Sequence, residues 1–226
     1  MIGIISAMDV EIESLINQLT HCVQTEISSL CFYEGKLHSQ RVVLAVCGVG
    51  KVNAAICTQT MILHFSPKRI INLGVAGSLD PKVNIGHIVI GENCVQYDFD
   101  TTSLGEPLGL IPKVNQVYIP CDPSLISELE KAVLSLKNTS YHIGTIATAD
   151  QFVTEGRKDI LAHFPALCCE MEGGAIAQVC YLNQVPFAVV RAISDNANAE
   201  ATIDFPTFTK MAADVSTAFM THFLSQ

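Results

Sequence analysis

Charge is scarce in this chain of 226 residues: Asp, Glu, Lys and Arg make up 15% of it, against a usual fraction of about 25%, while 49% is hydrophobic. That balance excludes a disordered tail, a coiled coil and a collagen-like fibre, and it predicts one α/β domain over residues 1–226. Basic charge is scarcer still, with 13 Lys and Arg against 22 Asp and Glu for a net charge of −9. A surface of that sign repels phosphate backbones and anionic lipid, so neither nucleic acid nor membrane is expected as a partner. No apolar run reaches the roughly 20 residues of a membrane-spanning helix.

Metal-binding patterns are missing too. The nine cysteines contain no CxxC pair and the seven histidines no HxxxH or HExxH spacing, so no metal and no cofactor are expected. Cysteines that are odd in number, scattered and mostly set in apolar runs such as 42–47 read as reduced thiols of a cytoplasmic protein. The opening MIGIISAMDVEIESL lacks the basic start of a signal peptide and already carries Asp9, Glu11 and Glu13. It is expected to stay in the mature protein as a strand leading into a helix. Repeats, low-complexity tracts and linkers are absent.

What is present is an alternation. Short Ile- and Val-rich runs are each followed by helical spacing, the pattern of a largely buried sheet flanked by helices. Strands are predicted at Ile2–Ser6, 41–47, 69–73, 87–91, 143–148 and 186–192, and helices at 10–20, 52–65, 123–136, 172–182 and 204–223. Small residues fill the turns after three strands: Ser6-Ala7-Met8, Gly48-Val49-Gly50 and Gly74-Val75-Ala76-Gly77. In open α/β sheets ligands sit over the carboxyl ends of strands, so these turns are where a site is sought. Residues 101–120, with three prolines and little periodicity, predict an irregular segment of functional or interfacial use.

Two nucleotide motifs fail. Gly48-Val49-Gly50-Lys51 resembles the end of a phosphate-binding loop, but Ala45 and Val52 stand where GxxxxGK[ST] requires Gly and Ser or Thr. The dinucleotide fingerprint lacks its third glycine. The run Cys168-Cys169-Glu170-Met171-Glu172-Gly173-Gly174 places two carboxylates where a buried strand meets a helix. They either answer the positive end of the helix dipole or serve a site; the glycines, costly in a helix, favour close approach to the backbone. Arg191, Ser194 and Asp195 end an apolar strand, and residues 197–201 continue as loop, so Asp195 suits ligand chemistry better than capping. Glu13 reads as solvated surface. Glu11 lies on the apolar side of its helix, where a carboxylate is costly unless paired or used.

Six motifs in order, GIISAMDVEIESL, GVGKVNAA, NLGVAGSL, TADQFV, CCEMEGGAIAQVC and VVRAISDNA, resemble the 5′-methylthioadenosine/S-adenosylhomocysteine nucleosidases of the purine nucleoside phosphorylase superfamily, over essentially the whole chain. The resemblance implies a single-domain, three-layer α/β sandwich with a mixed, barrel-like central sheet flanked by helices. It implies a homodimer that hydrolyses the N-ribosidic bond of adenine nucleosides. It also implies roles: Glu11 activates the attacking water, Asp195 protonates N7 of the leaving adenine with support from Ser194, and Glu172 binds the ribose hydroxyls. Met171 lies beside the sugar and Arg191 near the water. Phe152 stacks on the base, Val153 offers main chain to the purine edge, and Met8, Val49 and Phe205 line the pocket. Thr101, Leu104 and Pro112 reach in from the other subunit.

The sequence departs from this family at two places. Val75 replaces a serine whose hydroxyl lies near the water or phosphate position, which weakens a phosphorolytic reading. Leu104 replaces a frequent aromatic, which widens the 5′ end. VAGSL, DQFV and PLGLIP look closer to members that also cleave 6-amino-6-deoxyfutalosine in menaquinone synthesis. The alternatives are a phosphate-dependent nucleoside phosphorylase, whose anion site could draw only on Lys51 and Arg191, and a non-catalytic nucleoside-binding module on the same fold.

Overall fold

The computed structural model describes residues 1–137, 139–155, 157–198 and 200–226. Among them the strands are β1 (Ile2–Ser6), β2 (Thr20–Ile27), β3 (Leu30–Leu37), β4 (Gln40–Val46), β5 (Arg69–Ser78), β6 (Ile88–Gln96), β7 (Tyr118–Pro120), β8 (Tyr141–Thr148), β9 (Cys168–Glu170) and β10 (Phe187–Asp195). The helices are α1 (Glu13–Asn17), α2 (Lys51–Phe65), α3 (Pro123–Leu134), α4 (Arg157–His163), α5 (Gly173–Asn183) and α6 (Ala201–Ser225). The expected α/β architecture is present: one mixed sheet with helices on both faces.

Strand β5 organises that sheet. Its first half runs parallel to β1, which continues through β4 and β3 to the edge strand β2. Its other edge runs parallel to β10 from Ile70 to Gly77, and its last residues pair with β9. Since β10 pairs with β6, β6 with β8 and β8 with β9, the sheet closes on itself as β5-β10-β6-β8-β9. This closure is the barrel-like part, and the ends of β5, β9 and β10 come together inside it.

Alternation along the strands sorts the core into two layers. Ile5, Val43 and Ala45 join Ala54, Cys57 and Met61 of α2 and Ile176 and Cys180 of α5. Ile4, Val42 and Leu44 join Leu125 and Leu129 of α3 and Phe219 and Met220 of α6 on the other face. The three-layer sandwich follows. Seven of the nine cysteines are buried and all nine are free thiols. No helix among the described residues is long and apolar enough to cross a membrane.

Four of the five predicted helices and all six predicted strands are recognisable, and the helix expected at 10–20 is not formed as expected. Residues 10–20 do not form one helix; a 3-10 turn at Asp9–Glu11 precedes the short α1, and β2 begins at Thr20. Ile12 is the break, with φ −139°, and the Glu11 carboxylate holds the tight turn by accepting from the amides of Ala7 and Met8. The β2–β3 hairpin has no counterpart in the sequence reading because β2 is exposed along nearly its whole length and shows no apolar alternation. Residues 101–120 hold only a 3-10 turn, an isolated bridge and, at the end, β7. Helix α6 starts at Ala201, before the expected 204; of the loop expected at 197–201, Ala199 lies outside the described residues.

Candidate active site

Glu11 illustrates how a charge is prepared for burial. The 3-10 turn swings its side chain back over the end of β1, where Oε2 accepts from the amides of Ala7 and Met8 at 2.9 Å each and Oε1 from that of Val75 at 2.8 Å. The residue is 2% exposed. Burial raises its pKa, against the opposing pull of Arg191 and the three amides. Glu13 is exposed, as expected.

Arg191 is the cation of this cluster and is wholly buried on β10. Its Nη2 donates to Asn72 Oδ1 at 2.5 Å and to Glu170, and a Glu172 oxygen lies 3.7 Å away. Burial alone would favour the neutral form, but Glu170, Glu172 and Glu11 together raise the pKa and keep the guanidinium charged. Its Nε and Nη1 find no hydrogen-bond partner among the described residues. These are donors without an acceptor in a site lined by carboxylates. Gly74 makes the arrangement possible: a Cβ there would lie 2.2 Å from Arg191 Nη1 and 2.6 Å from Glu11 Oε1.

Glu172 stands at the start of α5, buried, with Oε1 accepting from the Gly50 amide at 2.8 Å. Its pKa is pushed up to about 7 by burial first and then by the neighbouring Glu170, against Arg191. The two glycines that follow it do not open the backbone to a ligand. The protein's own side chains occupy that space, since a Cβ on Gly173 would meet both Glu170 oxygens at 3.1 Å.

Asp195 sits at the far end of β10 in different surroundings. Its Oδ2 accepts from Ser194 Oγ at 2.9 Å and its Oδ1 from the Ala197 amide at 2.8 Å. Burial raises its pKa, those two donors lower it, and the charge of Asp204 raises it again. Gly77 leaves it room, since a Cβ there would lie 2.7 Å from Oδ1.

Apolar groups lie beside these carboxylates. Val75 is buried with Ala192, Ala212 and Ala213, and Met8 and Phe205 pack on that cluster. Phe205 meets Phe152 edge to face at 5.2 Å, and Val153 packs against a neighbouring cluster that includes Leu79 and Cys169. Met171 is half-buried between Glu170 and Glu172. Val49 is 47% exposed in the turn before α2. Thr101 is half-buried with a buried hydroxyl that has no partner among the described residues, whereas Leu104 and Pro112 stand exposed on the protomer surface.

The sequence reading leaves Asn72 and Thr148 unmarked and gives Glu170 no role beyond being one of two carboxylates where a buried strand meets a helix. Each is buried, and together they form the wall behind Arg191, with Thr148 Oγ1 donating to Glu170 and Asn72 also donating to the Ile5 carbonyl at 2.9 Å. A polar residue inside an otherwise apolar strand, as in Ile70-Ile71-Asn72-Leu73, is the available signal, because buried polar groups need partners.

Chemically, the cluster combines a buried arginine among three carboxylates with a separate aspartate, Asp195, whose pKa burial raises. Both candidate phosphate ligands have carboxylate partners. Arg191 is held by Glu170, and Lys51 Nζ is paired with Asp98 at 2.6 Å. Among the described residues no group of three or more His, Cys, Asp and Glu could hold a metal ion.

Residues 1–225 match the model of the phosphorylase superfamily. The chain is 42% identical to a 5′-methylthioadenosine/S-adenosylhomocysteine nucleosidase of Staphylococcus haemolyticus, over 97% of both chains. The crystal structure of the nucleosidase of that name from Neisseria meningitidis, in complex with methylthio-immucillin-A, superposes with a TM-score of 0.96 at 34% identity, covering 99% of this chain and 98% of the other. A structure of futalosine hydrolase from Helicobacter pylori gives a TM-score of 0.94 at 31% identity, covering 99% and 96%.

Proposed function

Because the chain belongs to the 5′-methylthioadenosine/S-adenosylhomocysteine nucleosidases of the phosphorylase superfamily, and so is a hydrolase of N-glycosidic bonds in adenine nucleosides, we propose that it works by dividing acid and base duties between the two ends of its site. The observation that carries this reading is the contrast in partners between two buried acids: Glu11 is set against the Arg191 guanidinium, whereas Asp195 is held by Ser194 Oγ and the Ala197 amide with no cation among the groups that act on it.

Breaking a ribosidic bond builds positive charge on the sugar and negative charge on the leaving base. Glu11 takes a proton from water as the water oxygen bonds to C1′. The unpartnered Arg191 donors orient that water or a sugar oxygen. The C1′–N9 bond breaks with its electron pair passing into the purine, and Asp195, aligned by Ser194, gives its proton to N7. Glu172 accepts from the ribose hydroxyls and, with Glu11, stabilises the cationic sugar, with Met171 packed beside it. Phe152 stacks on the base, Val153 presents main chain to the purine edge, and Met8, Val49, Val75 and Phe205 line the cavity. The missing serine hydroxyl at Val75 is replaced in part by its main-chain N–H, which fixes Glu11.

Residues 1–226 act as one nucleosidase domain in a cytoplasmic homodimer. Thr101, Leu104 and Pro112 then complete the 5′ end of the neighbouring protomer's pocket. The exposed Leu104 leaves room for a bulky 5′ group, and together with the likeness to a futalosine hydrolase it supports 6-amino-6-deoxyfutalosine as a third substrate, which links the protein to menaquinone synthesis besides methionine salvage. The test is kcat/KM for the three nucleosides in phosphate-free buffer. Adenine release from all three is expected. An inert aminodeoxyfutalosine removes the third substrate, and an absolute need for phosphate overturns the hydrolytic mechanism.

A further inference from the structure

One buried acid has no part in the scheme above. Glu170 closes β9, and its carboxylate accepts four hydrogen bonds: from Thr148 Oγ1, from Arg191 Nη2, from the Glu172 amide at 3.0 Å and from the Gly173 amide at 2.6 Å. It thus touches the guanidinium on one side and the backbone carrying Glu172 on the other. Burying a carboxylate this deeply is costly unless each oxygen is satisfied, and here each is. The local sequence is shaped to the group: Gly173 is small because Glu170 lies 3.1 Å from where its Cβ would be, and Thr148 shares its hydroxyl with the Gly174 amide at 2.7 Å.

We propose that Glu170 is a positioning residue for the hydrolysis, a buried anion that clamps Arg191 against Asn72 and fixes the Glu172–Gly173 corner, so that the guanidinium keeps Nε and Nη1 directed into the site and does not collapse onto Glu172. The 3.7 Å separation of Arg191 and Glu172 is what the clamp maintains. Without it the two opposite charges are free to close into a direct pair, which would consume both a donor needed at the sugar and the acceptor of the ribose hydroxyls. The charged and titratable groups around Glu172 are Glu170, Arg191, Glu11 and the Cys47 thiol. Of the two carboxylates that oppose the ionisation of Glu172, Glu170 and Glu11, Glu170 does so more. The proposal rests on the nucleosidase reading above.

The test is Glu170→Gln, which keeps the size and removes the charge. Expected is a fall in kcat of about 10²-fold, the cost of misplacing a reacting group by about 1 Å, with little change in KM. The acid limb of the kcat/KM profile should move to lower pH, because Glu172 loses its repelling neighbour and gains Arg191. A second readout needs no turnover: the fall of melting temperature between pH 5 and 7 should flatten in Glu170→Gln. Should that variant fail to fold, Thr148→Val, which deletes one donor to Glu170, is expected to lower kcat about tenfold. Unchanged kcat and an unmoved pH limb in a folded Glu170→Gln, or unchanged kcat in Thr148→Val, overturn the proposal. A wild-type protein that releases no adenine overturns the nucleosidase reading instead, while the melting profile still reports on the clamp.

Discussion

The two ends of the site use the same side-chain chemistry to opposite effect. At the end assigned to the sugar in the proposed mechanism, Glu11, Glu170 and Glu172 surround a buried Arg191, and every acid there is held by backbone amides. At the end assigned to the base, Asp195 is held by a serine hydroxyl and one amide, with no cation among the groups of the described residues that set its pKa. Burial raises the pKa of Glu11, Glu172 and Asp195 alike, and what separates them is the Arg191 guanidinium beside the first two; the proposed mechanism assigns the base role to the Arg191 side and the proton donor to Asp195. The backbone makes both arrangements from one strand, β5, whose Gly74 admits the arginine and Glu11 and whose Gly77 admits Asp195.

The sharpest way to break this division is Asp195→Asn, which keeps the shape of the acid and removes its proton. Adenine release should fall by about 10⁴-fold, the upper range for general acid catalysis, while nucleoside still binds. Near-normal turnover would remove Asp195 as the acid. Glu11→Gln attacks the other end and should cost about 10³-fold, again in kcat. A smaller loss than for Gly74→Ala would mean that Glu11 only holds the turn.

Gly74→Ala and Gly77→Ala separate the ends without touching a charge. The first is expected to lower kcat by about 10²-fold through displacement of Arg191 and Glu11. It should also destabilise the fold by about 1–3 kcal/mol, as overpacking does, read from chemical denaturation. Gly77→Ala should instead move the basic limb of the pH profile, the limb that the proposed mechanism assigns to Asp195.

The smallest effect sharpens the electrostatics. Glu172 titrates at 4.5 when solvated and at about 7 in the fold, so the folded state holds the extra proton between those values. The associated stability is fully present below pH 4.5 and is lost as pH rises through about 7. Glu11 and Asp195, also raised, act in the same direction. The melting temperature of the unliganded protein should therefore drop by a few degrees, about, from pH 5 to 8, and drop less in Glu172→Gln.

Much of this was legible in the sequence for a physical reason. Buried strands such as β1 and β10 announce themselves by apolar runs, and Glu11, Glu172 and Asp195 stand where those runs end, at the turns that a closed sheet brings together. The β2–β3 hairpin was not legible because an exposed edge strand carries no apolar alternation. Nor was the wall that Asn72 and Thr148 form with Glu170, although Glu170 itself stands out in the sequence as one of two carboxylates after a buried strand. Those residues act through partners far away in the chain, such as Arg191 for Asn72, and only the barrel closure of β5, β8, β9 and β10 shows which buried polar group meets which. The helix expected at 10–20 failed for a related reason: Glu11 satisfies the amides of Ala7 and Met8 and so stabilises a tight turn in place of a helical start.

The most direct measurement of the division between the two ends is the infrared difference spectrum between wild type and Asp195→Asn, recorded at neutral pH in the unliganded protein. A protonated-carboxyl band present in wild type and absent from the variant is the expected result. Identical carboxyl bands in the two proteins, showing Asp195 ionised, would contradict the assignment of proton donor and base.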